Sequence, residues 1–428
     1  MEILFRDTAD FSARLQAMLS REAYSQEIAQ AAEAILQQVR LRGDEALCQY
    51  AREFDHTELT PEQFLVTEEE ISRACDQVSR EDREAIDLAV AHIQDFYSRT
   101  LPKGWQYSPR PGVILGEQFH PLDRVGCYIP GGTAPLVSTV CHTVAIARTA
   151  GVKEILVCTP PGGAKGIHPA LLYACRAAGA TAVYRLGGVY GVGALAYGTA
   201  TIPKVEKICG PGNAYVAAAK RALYGTVALD LVAGPSEILV VADETANPAY
   251  VAADVLSQAE HGSGREQAVL VSPSRATLEA VREEILRQAA SLDRQECVNK
   301  VLSQGVFLVE ARDLEEAARI ASQYAPEHLE LQVADPWALA PRITAAGAIF
   351  LGSYTPEPVG DYVAGPSHVL PTGGTARFFN GLTGDAFFRR TSLISYDREA
   401  LLKEQPALAR LTAAEGLDAH GNSAAIRK

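Results

Sequence analysis

The sequence predicts an α/β protein: two α/β units with parallel sheets, a helical N-terminal segment before them and a C-terminal extension after. Three observations predict it. From Arg124 onward, short apolar runs alternate with helical runs. That alternation comes in two sets, the second opening at Glu237. Before Arg124 the pattern is helical and charged, with no cluster of chemically active residues.

Taken in order, residues 26–42 and 71–101 show helical apolar spacing. Strand candidates follow at 125–129, 154–158, 182–186, 204–209 and 237–242, with helices at 138–150, 169–178, 192–197 and 214–224. Gly151, Gly179 and Gly225 sit where helix stops are wanted. The second set places strands at 268–271, 306–309, 328–333 and 348–351. Asp313 and Glu316 have capping-box spacing, and Pro326 ends that helix. Helix 247–261 has Asn247 as cap, Pro248 in the first position, Gly262 as stop and an apolar side of Val251, Val255, Leu256 and Ala259. Gln258 and His261 share one face of it, with Asp254 a turn earlier. An imidazole beside an amide oxygen is half a metal shell. A polar helix end with a His favoured by the dipole accounts for the same pattern, so this helix alone does not decide.

The expected boundaries are 1–123 (helical, packing on the second unit), 124–236 (first unit), 237–376 (second unit) and 377–428 (extension, contacting another copy). No low-complexity linker parts the units, which predicts an extensive shared interface. A chain of 428 residues is long enough for two or three domains. Its net charge of −13 argues against nucleic acid or an anionic membrane as partner. No apolar run reaches the roughly 18 residues of a membrane span, and residues 1–10 lack a signal pattern, so a cytoplasmic location is expected. The eight cysteines contain no CxxC pair, which suits reduced thiols. Cys127, Cys158 and Cys209 lie in apolar strand-like runs, where packing is their expected role.

Three Gly-rich turns follow strand candidates: Pro130-Gly131-Gly132, Gly191-Val-Gly193-Ala-Leu-Ala196 and Gly210-Pro211-Gly212-Asn213. A tight turn needs glycine for backbone reasons alone. Together, though, they would converge on the C-terminal edge of one sheet, where open α/β sheets bind ligands. The last leads into a helix whose free N–H groups favour phosphate.

Six segments are dense in chemically active groups: 210–216 (GPGNAYV), 233–238 (AGPSEI), 257–261 (SQAEH), 324–331 (YAPEHLEL), 360–377 (GDYVAGPSHVLPTGGTAR) and 415–420 (EGLDAH). In this order they resemble histidinol dehydrogenase, and the likeness runs from 43–55 (GDEALCQYAREFD) to the C-terminus. The resemblance implies two Rossmann-like units and a homodimer whose C-terminal residues reach the neighbouring site. It implies oxidation of L-histidinol through L-histidinaldehyde to L-histidine with two NAD reduced, the last step of histidine biosynthesis. Tyr128 and Asn213 match NAD contacts, and Tyr190 stands where the family commonly has Gln. Gln258, His261, Asp361 and His420 match the ligands of one zinc ion (Zn2+) per subunit. Those four, with Ser236, His328, His368 and Glu415, match substrate contacts. Glu327 and His328 match the acid–base pair, and no Cys lies in any cluster to act as an aldehyde dehydrogenase nucleophile. Two departures, Tyr190 and residues 137–150 (VSTVCHTVAIARTA, without the usual Pro-Ala), keep an alternative open. It is a paralogous NAD-dependent zinc dehydrogenase acting on another polar alcohol, such as a sulfonated diol. A non-catalytic metal-binding protein on the same fold is the third reading.

Overall fold

A computed structural model describes residues 1–21, 25–131, 135–261 and 264–427. The chain opens on β1 (Glu2–Leu4) and runs through helices Phe11–Leu19, Gln26–Arg42, Asp44–Asp55, Glu68–Asp76 and Arg80–Ser98. The antiparallel pair β2 (Trp105–Arg110) and β3 (Val113–Pro121) follows. Next come β4 (Arg124–Tyr128), β5 (Glu154–Thr159), β6 (Ala182–Arg185), β7 (Lys207–Cys209) and β8 (Ala228–Leu229). The second set is β9 (Glu237–Ala242), β10 (Gln267–Ser272), β11 (Val306–Glu310), β12 (His328–Gln332) and β13 (Ala348–Leu351). Last are β14 (Phe388–Tyr396) and helices Arg398–Glu415 and Asp418–Ala425.

Both predicted parallel sheets form. Their orders are β6-β5-β4-β7-β8 and β1-β11-β10-β9-β12-β13. Numbered from its own first strand, each unit reads 3-2-1-4-5, the doubly wound order, with β1 added outside the second. Helices cover both faces, so the strands carry apolar side chains on both; every residue of β9 is buried. Order reverses between β4 and β7 in the first sheet and between β9 and β12 in the second.

Several expectations need correction. β1 and helix Phe11–Leu19, through Met18, pack on the sheet of the second unit, and helix Arg80–Ser98 also touches that unit's later segment, where His92 Nδ1 lies 2.8 Å from the Val363 carbonyl oxygen and Tyr97 accepts from Ser367 N at 2.9 Å. The later N-terminal helices otherwise cover the first unit. Ala32, Leu36 and Val39 pack with Tyr190, Val192 and Leu195 on one face of its sheet, and Ile86, Val90 and Ile93 pack on the other. The apolar stripes were legible, but a stripe does not name its partner. Residues 71–101 are two helices, because Ser79 caps a new one by accepting from Asp82 N at 3.0 Å. The helix at 138–150 contains a wider π turn at Cys141–Ala145. Gly191 and Gly193 lie inside helix Gly188–Tyr197, not in a turn. A Cβ on Gly191 would sit 2.8 Å from the Leu186 carbonyl oxygen, and one on Gly193 would sit 3.1 Å from Leu36 Cδ2. These glycines let the helix pack closely.

Helix Pro248–Ala259 forms as expected, with Asn247 accepting from Ala249 N at 2.9 Å. Its expected stop, Gly262, and Gly132 of the first turn lie outside the described residues. The C-terminal extension pairs β14 with β3 over residues 388–396 and 113–121. This third sheet exposes Trp105, Tyr107, Ile394 and Tyr396. All eight thiols are free; those of Cys127 and Cys209 lie 3.5 Å apart inside the first sheet. Among the described residues, no helix is long and apolar enough to cross a membrane.

Candidate active site

The first unit opens a cleft of about 690 Å³ at the C-terminal edge of its sheet, at the point where strand order reverses. Tyr128 ends β4, Pro160 follows β5, Gly188 and Tyr190 follow β6, and Asn213 follows β7; all line the cleft. All three residues expected to touch a cofactor therefore meet here. Gly210 has φ +111°, and any Cβ on it would collide with the Tyr128 carbonyl oxygen, so glycine is required at this turn. Tyr128 accepts a hydrogen bond from Gly188 N at 3.1 Å. Asn213 accepts from Tyr215 N and Val216 N at 3.1 Å each, so two of the N–H groups expected to await a phosphate are already capped. Tyr190 donates to Asp55. Burial pushes both of these acids up; at Asp55 the Tyr190 hydrogen bond works against that rise.

The second cluster sits at the opposite kind of edge. Glu327 and His328 open β12, beside Ser236 and Glu237 at the start of β9. This is the N-terminal edge of a parallel sheet, whereas open α/β sheets usually bind ligands at the C-terminal edge. At the second unit's own C-terminal edge lies buried Asp243, which accepts from Thr245 N at 2.9 Å and Ala334 N at 2.8 Å. Helix Pro248–Ala259 runs back from that end and delivers Gln258 and His261 to the N-terminal edge.

His328 Nδ1 lies 3.1 Å from the Glu237 carbonyl oxygen, an acceptor, so Nδ1 carries a proton. Nε2 then faces Asp361 Oδ1 at 3.6 Å and Glu357 Oε1 at 3.8 Å. Glu327 Oε2 accepts from Glu237 N at 2.9 Å and lies 3.8 Å from His328 Nδ1. His368 Nδ1 is 3.8 Å from Asp361 Oδ1. A cavity of about 160 Å³ opens against His328, Asp361 and His368.

Burial lowers the His328 pKa, but Glu327, Asp361 and Glu357 outweigh it and push the imidazole up to about 10. Burial pushes Glu327 up to about 8 despite His328, and Glu357 also up to about 8. Asp361 loses solvation too, yet His328 and His368 hold it below the usual carboxylate range. The cluster thus keeps one firm carboxylate and two reluctant ones around an imidazole.

The structure gathers Glu327, His328, Asp361 and His368, and places His261 near enough to Asp361 and His328 to feel their charge. Gln258 is fully buried, and neither of its amide atoms has a partner. Its neighbour Ser257 donates to Glu357 at 3.4 Å. Asp254 accepts from Gln332 Nε2 at 2.6 Å, behind the site. Glu415 and His420 do not join the cluster; both are exposed on the C-terminal helices.

Two residues escaped the sequence reading. Glu357 forms with His328 and Asp361 a triad whose ligand atoms lie within 4.8 Å of one another, a geometry that could hold a metal ion. Its spacing to Asp361, four residues along one short helix, was the available signal. His142, within the π turn, is buried and stacks on His368 at 4.5 Å between ring centroids. A lone imidazole in an apolar run was its mark.

A cleft of about 690 Å³ on one parallel-sheet unit, joined to a second unit with a buried imidazole–carboxylate cluster, defines a two-unit α/β protein with a candidate nucleotide cleft and a candidate catalytic cluster. A family model described as histidinol dehydrogenase matches residues 19–428, and the chain belongs to that family. A histidinol dehydrogenase from Heliobacterium mobile is 46% identical over 393 residues, 92% of each chain. Another from Desulfotalea psychrophila is 45% identical over 425 residues, 98% of each chain. The crystal structure of histidinol dehydrogenase from Elizabethkingia anophelis superposes with a TM-score of 0.92 at 34% identity, covering 97% of this chain and 95% of that one.

Proposed function

We propose that the protein is a zinc-containing, NAD-dependent enzyme of the cytoplasm that oxidises L-histidinol to L-histidine, with two NAD reduced per turnover. The observation that supports it best is the buried Glu327–His328 pair facing Asp361 beside the end of helix Pro248–Ala259.

The donor set suits zinc. Gln258 has two unpartnered buried amide atoms, and Asp361 Oδ1 and His328 Nε2 also lack a hydrogen bond. Buried polar atoms left unmet cost roughly 1–3 kcal/mol each, which favours a ligand at this position. Gln258, His261 and Asp361 would hold the ion from this chain, and His420 of a second copy would complete a nitrogen–oxygen shell. When bound, zinc would position the substrate through its nitrogen donors, and NAD held in the first unit's cleft beside Tyr128, Tyr190 and Asn213 would supply the hydride acceptor.

This chain's residues move the protons. His328 takes the hydroxyl proton as the first hydride leaves the CH₂OH carbon, giving the aldehyde. A cation bound to Asp361 would remove part of what holds His328 protonated and would free the imidazole to act as base. Glu327, whose buried carboxyl lies near neutrality, draws a proton from water as it adds to the aldehyde carbon. His328 returns its proton to the aldehyde oxygen as the hydrate forms, then accepts the hydrate's hydroxyl proton as the second hydride leaves. Ser236 and His368 border the substrate, and Glu415 of a second copy reaches it with His420.

Relatives named histidinol dehydrogenase at 44–46% identity speak against the paralogue reading. The test follows NADH with purified protein, zinc and a panel of alcohols that includes histidinol and sulfonated diols. Two NADH per histidinol consumed is the expected result. Turnover only on another alcohol, or on none, overturns the proposal.

A further inference from the structure

The N-terminal helices that cover the first unit bring a carboxylate into its cleft. Asp55 is the last residue of helix Asp44–Asp55 and lines the cleft with Tyr128, Tyr190 and Asn213. A negative charge at a helix C-terminus is electrostatically disfavoured, so this position needs an explanation. The side chain is held from two sides. Tyr190 donates its hydroxyl to Oδ2, and the loop after β6 closes on the same oxygen, since a Cβ on Gly187 would lie 3.1 Å from it. His56 follows at φ +50°, the left-handed region that non-glycine residues seldom enter. That turn takes the chain out of the helix and away from the cleft while Asp55 stays at its rim. Strain of this kind collects where a side chain must be aimed.

The rest of the lining shows what the carboxylate meets. Among the described residues, the cleft is lined without a Lys or Arg. Phe54, next to Asp55, is 48% exposed and offers an aromatic face on which a base can stack. A carboxylate accepts from both hydroxyls of a ribose. With no cation beside it, the same carboxylate repels a phosphate on that ribose. In the usual dinucleotide fold an acid about twenty residues after the Gly-rich turn does this work. Here the acid comes from a different part of the chain, laid over the sheet from outside.

We infer that Asp55, positioned by Tyr190, receives the ribose hydroxyls of the adenosine half of the dinucleotide and sets the preference for NAD over NADP. This rests on the proposal that the first unit's cleft holds the dinucleotide.

The experiment titrates NAD and NADP calorimetrically into the full-length protein and into Asp55→Asn, Asp55→Ala and Tyr190→Phe, with initial rates measured for both dinucleotides. Losing a charged hydrogen bond is expected to weaken NAD binding about ten- to a hundredfold in the Asp55 variants. NADP binding should weaken less or improve, so the affinity ratio falls at least about tenfold. Tyr190→Phe should move the ratio in the same direction by less. In rates the loss appears in KM for NAD and not in KM for histidinol. A ratio within about twofold of the parent in both Asp55 variants overturns the inference, the yardstick being that a charged hydrogen bond is worth far more. Photolabelling the parent with 8-azido-NAD, followed by peptide mapping, separates the two failures. Label on the cleft residues with an unaltered ratio removes Asp55 alone. Label elsewhere removes the cleft as the dinucleotide site and the inference with it.

Discussion

At the scale of the residue, His328 is defined by its two nitrogens: one tied to a carbonyl, the other turned to carboxylates. Glu327→Gln keeps the shape and much of the hydrogen bonding but cannot take a proton. It should retain part of the alcohol oxidation and stall at the aldehyde, whereas His328→Asn should slow both steps on the order of 10²–10⁴-fold. Rates with histidinol and with histidinaldehyde decide it; equal damage to both steps by Glu327→Gln would disprove the division of labour. His261→Ala and His420→Ala should each abolish turnover and lower bound zinc, because each removes one of the shell's two nitrogen donors and the oxygen donors that make up most of the rest hold zinc less well. Metal analysis showing full occupancy in active variants sinks the ligand set. Glu327, His328 and Asp361, which the fold brings together, stood out in the sequence because their neighbours form compact motifs. Glu357 and His142 left only faint marks, a four-residue spacing to Asp361 and a lone imidazole in an apolar run, because their meaning arises from what lies across a fold contact rather than along the chain.

Among elements, strands were the most legible, since residues buried on both faces must be continuously apolar; β9 and β13 match the expected spans. Partners were less legible. Gly191 and Gly193 looked like a turn motif because both a phosphate loop and a close helix contact require the missing Cβ. The two uses predict different variants. Gly193→Val should force Leu36 and Val39 apart and destabilise the fold by about 1–3 kcal/mol, an overpacking cost. The affinity of the surviving folded protein for NAD should be unchanged. A melting temperature equal to the parent's, with NAD binding lost, would restore the phosphate-loop reading.

The whole molecule sets two pH-dependent terms against each other. Glu327 and Glu357, pushed up to about 8, and Glu237, pushed by burial to about 7, all start from an ordinary value of 4.5. Above that value the folded state binds more protons than the unfolded one, so their contribution is present at low pH and lost as pH rises through 7 and 8. His328, raised from 6.5 to about 10, acts in the same sense: full below 6.5, gone as pH climbs through 10. Asp361 runs the other way, losing its contribution only as strong acid protonates it. The metal-free protein should therefore melt at progressively lower temperature from about pH 5 to about pH 10. A melting temperature that climbs across that range contradicts the assignment.

The exposed C-terminal arm has a further consequence. β14 and its two helices carry Glu415 and His420 away from this chain's own cluster, while the third sheet leaves Trp105, Tyr107 and Ile394 open to water. Mixed and exchanged, the inactive variants Glu327→Gln and His420→Ala should regain activity in those pairs that hold one complete site. Demonstrated mixed pairs that stay inactive would refute sharing. A site finished by another copy also obeys mass action. Diluted far enough, each molecule would still be folded yet idle, so activity per milligram would fall with concentration while the circular dichroism spectrum stayed the same. Under the proposed sharing, catalysis would belong to two chains together before it belonged to either.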